Sequence, residues 1–177
     1  MGFCVELGQS ACFTSSMRVY LLRHAKAVPG FPDADRALST AGQQQVRRLG
    51  HFLRDKEEFT TAHIWHSPLQ RTRETMEGLL EAWGGSIEST QMCAALVPEA
   101  DPEPLLADLA GLDRDVVLIG HNPNLELLAS LLLSGERYRT RIHLGTCGLI
   151  CLDWRPIPNL GQFGPCELRW KLAAPIL

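Results

Sequence analysis

Two short apolar segments of this chain each lead into a histidine, and this pattern constrains the fold more than any other. Residues 19–22 are followed by Arg23 and His24, and residues 116–119 are followed, after one glycine, by His121. Runs that are apolar throughout are typical of strands covered on both faces of a parallel sheet. Such sheets bind ligands beyond the carboxyl ends of their strands. We therefore expect both histidines at one edge, in a site suited to phosphate.

Strand and helix signals alternate along the rest of the chain. Further strands are predicted at residues 62–66, 86–92, 148–154 and 166–172, and helices at 40–56, 67–83, 105–112 and 123–133. Alternation that ends in a strand pair indicates an α/β fold. We expect a three-layer sandwich whose mostly parallel central sheet is flanked by helices and carries a late antiparallel strand pair.

The size and charge of the chain exclude several classes of protein. A length of 177 residues favours one domain, which we place at residues 17–177, after a loosely held extension at residues 1–16. A net charge of −3 gives no basic footprint for nucleic acid. No apolar stretch is long enough to span a membrane.

The six cysteines are too sparse for a disulfide scaffold, and no CxxC pair supports a zinc ribbon. Cys147 and Cys151 are expected on one strand, roughly 13 Å apart, which is too far to bridge. We expect reduced thiols, and hence a cytoplasmic protein.

A third polar cluster, Ser67 to Arg71, follows the second predicted strand. The three clusters in this order resemble the signatures of the histidine phosphatase superfamily, which has the phosphoglycerate mutase-like fold. Within it, residues 23–27 and 35–42 are similar to the small phosphohistidine phosphatases of the SixA type. The resemblance covers residues 17–172.

The resemblance implies a role for each residue of these clusters. His24 would be the nucleophile that accepts the phosphoryl group, and Arg23 and Arg71 would hold the phosphoryl oxygens bidentately. His121 would donate a hydrogen bond to the same group. No metal and no cofactor are expected.

Arg36 is carried over from the SixA-like pattern as a further phosphate-binding residue. A loop ion pair with Asp33 or Asp35 is an equally good interpretation of Arg36.

The sequence has no clear match to the acidic segment that supplies the proton donor of the mutases. Glu99 and Asp101 are candidate donors, although solvated loop carboxylates are the simpler interpretation. Because an imidazole leaves more readily than an alkoxide, a site without an acid favours phosphohistidine over an ester.

These observations predict a metal-independent phosphatase that works through a phosphohistidine intermediate. Its substrate would be phosphohistidine on a signalling or carrier protein. A phosphatase of small phosphoesters is the alternative, and a non-catalytic module that binds phosphate or a phosphoprotein is an alternative of another class. Neither nucleic acid nor a membrane is expected as a partner.

Overall fold

The computed structural model describes residues 16–56, 58–155 and 165–173. Within these ranges one sheet contains six strands: β1 (Met17–Arg23), β2 (His63–His66), β3 (Ser89–Met92), β4 (Val116–Gly120), β5 (Leu149–Trp154) and β6 (Glu167–Leu172). Their order across the sheet is β3-β2-β4-β1-β5-β6. The first four strands are mutually parallel, whereas β5 runs antiparallel to β1 and β6. The predicted fold class is therefore confirmed.

Helices cover both faces of this sheet. They are α1 (Thr40–Arg54), α2 (Gln70–Trp83), α3 (Leu105–Ala110) and α4 (Asn124–Ser134), with short 3-10 turns at Asp33–Asp35 and Ala94–Leu96. Successive strand residues point to opposite faces. Val19 and Leu21 of β1 therefore pack in the core with α3 and α4, while Tyr20 and Leu22 pack in the core with α1 and α2. All four side chains are fully buried, as an apolar strand between two helical layers requires.

The helix ends follow from local sequence. The Ser39 hydroxyl accepts a hydrogen bond from the Gly42 N–H at 3.1 Å and so caps the N-terminus of α1. Gly84 and Gly135 end α2 and α4 with φ of 74° and 73°, a left-handed conformation that glycine adopts at little cost. Of the predicted boundaries, two differ most: β3 begins at Ser89 rather than residue 86, and α2 begins at Gln70 rather than residue 67.

Cys147 does not share a strand with Cys151, which corrects the prediction from sequence. It lies in the turn before β5 with φ of 58°, and its N–H is shared between the carbonyls of Arg23 and His24 at 3.1 Å each. The turn is thus fastened to the end of β1, and the regular ladder starts only at Leu149. The four cysteines within the described ranges are free thiols.

The proposed extension at residues 1–16 lies, except for Ser16, outside the described residues. None of the helices in the ranges given above is long and apolar enough to cross a membrane.

Candidate active site

Strand register brings the two histidines together. β1 and β4 are adjacent, and Arg23 lies opposite Gly120 in their ladder. The residue that follows the end of each strand is a histidine, His24 after β1 and His121 after β4. The N–H of His24 donates to the Gly120 carbonyl at 3.0 Å. The two imidazole rings are 4.9 Å apart between centroids.

The third cluster reaches the same edge through β2, which lies on the other side of β4. The N–H of Ser67 donates to the Ile119 carbonyl at 3.0 Å, so the chain leaves β2 beside His121. α2 begins three residues later, and Arg71 in its first turn is only 4% exposed. Arg71 is close enough to both histidines that its charge lowers their pKa values.

Both arginines are held by part of the guanidinium group while Nε stays unpaired. Nη1 of Arg23 donates to the Leu144 carbonyl at 2.8 Å. Nη1 and Nη2 of Arg71 donate to the main-chain oxygen and the carboxylate of Asp33 at 2.8 and 2.9 Å. Each Nε is buried and has no hydrogen-bond partner among the described residues. Since a buried donor is normally satisfied, these two N–H groups are suited to an anion.

The hydrogen bonds of the two rings determine which nitrogen of each can react. Nδ1 of His24 lies 2.7 Å from the Ala25 carbonyl. A carbonyl only accepts, so Nδ1 carries the proton and the lone pair of the neutral ring is on Nε2. Nε2 of His121 lies 3.0 Å from the Ser67 hydroxyl, while its Nδ1 is buried and unpaired within the described structure. When Ser67 donates to Nε2, Nδ1–H becomes a third unpaired donor.

Burial and neighbouring positive charge keep both rings neutral. Loss of solvation lowers the pKa of His24 to about 4, and the charges of Arg71, Arg23 and Arg36 add to this effect. Loss of solvation, followed by the charge of His24, lowers the pKa of His121 to about 3. Both imidazoles are therefore uncharged at neutral pH, which a nucleophilic nitrogen requires.

The lowered pKa of His24 predicts that acid destabilises the fold. The unfolded chain takes up a proton at His24 near pH 6.5, and the folded chain does so only near pH 4. The unfolded state therefore binds more protons between these values, and the free energy of unfolding falls as pH is lowered. From pH 7 to pH 5 the contribution of His24 falls by about 2 kcal/mol. Urea unfolding of His24→Gln should show a correspondingly weaker pH dependence than the wild type.

His51→Gln, on the exposed side of α1, is the matched control for this measurement. An identical loss of stability in the wild type and His24→Gln over this pH range would contradict a neutral buried ring at position 24.

Arg36 lies at the edge of this cluster and is partly exposed. It donates to the Val28 carbonyl at 2.8 Å and to the Asp33 carboxylate at 2.8 Å. The ion pair expected as the alternative role of Arg36 is thus present, and the same carboxylate also binds Arg71. Asp33 therefore links the two arginines, and the hydrogen bond from Arg36 is the largest cause that holds its pKa below the usual range.

The two candidate proton donors do not contact these residues. Both oxygens of Asp101 accept from Arg137 at 2.8 Å. That pair lowers the pKa of Asp101 and favours the ionised form, the opposite of what an acid needs. Glu99 is exposed. In the described part of the chain, no hydrogen bond or ion pair joins either carboxylate to His24 or His121.

Sequence reasoning missed three contributors to this site. Ser67 was named only as part of a motif, Asp33 only as a partner of Arg36, and the Leu144 carbonyl not at all. The position of Ser67 directly after a strand could have indicated its contact with the histidine of the neighbouring strand. No sequence pattern predicts the contact of Arg23 with the Leu144 carbonyl, because the two residues are 121 positions apart. Over the described ranges, no group of three His, Cys, Asp or Glu side chains could hold a metal ion.

Comparison with known proteins agrees with this geometry. Residues 19–93, which include His24 and Arg71, match the model of the histidine phosphatase superfamily (branch 1). The resemblance to that superfamily is therefore confirmed. No curated protein matches the chain by sequence.

Solved structures extend the likeness to nearly the whole chain. The protein histidine phosphatase SixA in complex with tungstate superposes with a TM-score of 0.76 at 22% identity, over 90% of this chain and 99% of that one. A protein from Agrobacterium tumefaciens assigned as the phosphohistidine phosphatase SixA gives 0.69 at 27%, over 89% and 97%. A mycobacterial glucosyl-3-phosphoglycerate phosphatase gives 0.66 at 18%, over 89% and 99%. Phosphatases of different substrates thus share this fold.

Proposed function

We propose that this chain is a metal-independent phosphatase that transfers a phosphoryl group to His24 and then to water. We further propose that its substrate is phosphohistidine on a signalling or carrier protein of the cytoplasm. One observation carries the proposal. The buried Nε–H groups of Arg23 and Arg71 and the buried Nδ1 of His121 lack partners among the described residues and belong to side chains close to a neutral imidazole.

The chemistry follows from these atoms. Nε2 of His24 attacks phosphorus in line, a new N–P bond forms, and the N–P bond of the substrate breaks. The departing imidazole keeps the electron pair of that bond and takes a proton from solvent; in the second step the attacking water returns a proton to solvent. Water then attacks phospho-His24, releasing inorganic phosphate and restoring the neutral ring. Phosphoryl transfer depends mainly on positioning and on charge stabilisation of the equatorial oxygens, for which the two guanidinium groups and Nδ1–H of His121 are suited.

The weakness of the candidate acids favours phosphohistidine as the substrate. An ester releases an alkoxide, which leaves poorly unless an acid protonates it. Asp101 is ionised and bound to Arg137, and Glu99 is the better candidate only because it has no such partner among the described residues. An imidazole leaving group does not depend on either carboxylate. The likeness to two structures assigned as SixA supports the same choice.

A phosphatase of small phosphoesters is the second candidate. The likeness to a glucosyl-3-phosphoglycerate phosphatase favours it, because 99% of that chain superposes on this one and the two share the fold. A non-catalytic binding module would use the same donors but would form no covalent intermediate.

The test is a comparison of kcat/KM on free phosphohistidine and on O-phosphoserine, an ester whose alkoxide leaving group needs an acid. Since general acid catalysis contributes roughly 10²–10⁴ in rate, we expect phosphohistidine to be preferred by about a hundredfold. Glu99→Gln and Asp101→Asn should leave both values nearly unchanged. Preference for the ester would favour the second candidate, and the absence of an acid-labile phosphoenzyme with either substrate would favour the binding module.

A further inference from the structure

Phe31 is an aromatic side chain that the fold leaves in solvent. It is 97% exposed, the highest value among the large hydrophobic residues of the described chain. A single exposed hydrophobic residue is ordinary on a protein surface. What distinguishes Phe31 is its place on the segment formed by residues 28–36, called here the Phe31 loop.

The base of the Phe31 loop is fixed by main-chain hydrogen bonds. Ala27 and Leu38 form an isolated antiparallel bridge, and the Val28 N–H donates to the Ala37 carbonyl at 2.9 Å. The following turn is held as well, because the Ser39 N–H donates to the Lys26 carbonyl at 2.8 Å. An ordered loop that displays an aromatic ring loses little conformational entropy when a partner covers it.

The same loop also contacts the candidate active site. Asp33, two residues after Phe31, binds the buried Arg71 through both its main-chain oxygen and its carboxylate. Two residues span at most about 7 Å, so the backbone of Phe31 lies close to the phosphate-binding arginine. Val28, whose carbonyl accepts from Arg36, is 38% exposed and adds a second apolar group to the loop.

We propose that Phe31, supported by Val28, is a docking anchor for the protein that carries the phosphohistidine. This inference rests on the proposed function. A phosphoryl group held by Arg71 brings the surface around the substrate histidine against the Phe31 loop. An apolar side chain next to that histidine would cover the ring, and aromatic anchors of this kind dominate many protein interfaces. Free phosphohistidine is too small to reach the active site and cover the Phe31 ring at the same time. Phe31 therefore favours protein substrates over small ones.

The experiment uses the full chain and three phosphohistidine substrates. Two are short peptides of equal length with one phosphohistidine, flanked by leucines in one and by serines in the other, and the third is free phosphohistidine. We expect the wild type to prefer the leucine peptide. In Phe31→Ser, kcat/KM on that peptide should fall about tenfold, mainly through KM. Activity on free phosphohistidine should stay unchanged, which also shows that the variant is folded.

Two further variants sharpen the comparison. Phe31→Leu keeps an apolar side chain and should retain most of the preference. Leu168→Ser removes another exposed hydrophobic residue, on β6, two strands away from β1. It should leave all three substrates at wild-type values.

The outcomes separate this inference from the function on which it rests. Hydrolysis of all three substrates with no loss in Phe31→Ser overturns the docking role alone. Hydrolysis of an ester without hydrolysis of any phosphohistidine overturns the proposed substrate and the docking role together. A wild-type dimer that becomes a monomer in Phe31→Ser assigns the ring to a second copy of this chain and also overturns the proposal.

Discussion

Replacement of His24 by alanine is expected to abolish turnover on every phosphorylated substrate. The substitution removes Nε2, which carries the lone pair because Nδ1 is bound to the Ala25 carbonyl. In the proposed mechanism the arginines and His121 would still bind phosphate, but no other described residue places a neutral ring nitrogen at the position of Nε2. Loss of a nucleophile that works as a unit with its neighbours costs roughly 10⁴–10⁶ in kcat. Steady-state assay with phosphohistidine and with p-nitrophenyl phosphate measures this loss.

Single-turnover trapping shows whether turnover is lost because the covalent phosphoenzyme no longer forms. The wild type should form an acid-labile phosphoenzyme, and His24→Ala should form none. His51→Ala, in which an exposed histidine of α1 is removed, is the matched control and should keep both turnover and the trapped species. Near-normal turnover of His24→Ala would show that another residue is the nucleophile.

The position of the histidines could be predicted from sequence because local pattern and general geometry suffice. An uninterrupted apolar run specifies a strand buried on both faces, and parallel strands place their carboxyl ends at one edge. The residues after β1, β2 and β4 therefore meet whatever their separation in sequence. Identification of the sheet edge depends on nothing more, whereas the roles assigned to its residues depend on the resemblance to the superfamily.

The supports of the site could not be predicted in the same way, because they depend on how loops return to the sheet. Arg23 is held by the carbonyl of Leu144, and Leu144 also accepts from Asn122 beside His121. The ring of His121 is oriented by Ser67, a contact that exists only because β2 lies next to β4. A strand pattern fixes neither the turn at Cys147 nor the path of the Phe31 loop, so these contacts appear only in three dimensions.

The second large effect is expected from Arg71→Ala. Arg71 is 4% exposed, both of its Nη atoms donate to Asp33, and its buried Nε has no hydrogen-bond partner among the described residues. Its removal takes away a charged donor to the phosphoryl oxygens and also frees Asp33, whose carboxylate would then face the incoming anion with only Arg36 as a partner. Loss of one preorganised donor costs roughly 10²–10³ in kcat, and weaker binding of the phosphoryl group should raise KM as well. Inhibition by inorganic phosphate should weaken in parallel, since the same donors hold the product.

Arg71→Lys should recover little of this activity. A single ammonium group cannot donate to the main-chain oxygen and the carboxylate of Asp33 and also place a donor at the position of Nε. Arg73→Ala is the matched control: it lies two residues further along α2, is exposed, and pairs only with Glu77 at 3.9 Å within the described structure. It should keep wild-type kcat, KM and phosphate inhibition. Urea unfolding of the Arg71 variants shows whether lost activity reflects loss of the donor or loss of the fold. A folded Arg71→Ala variant with unchanged kcat and phosphate affinity would show that Arg71 does not belong to the site.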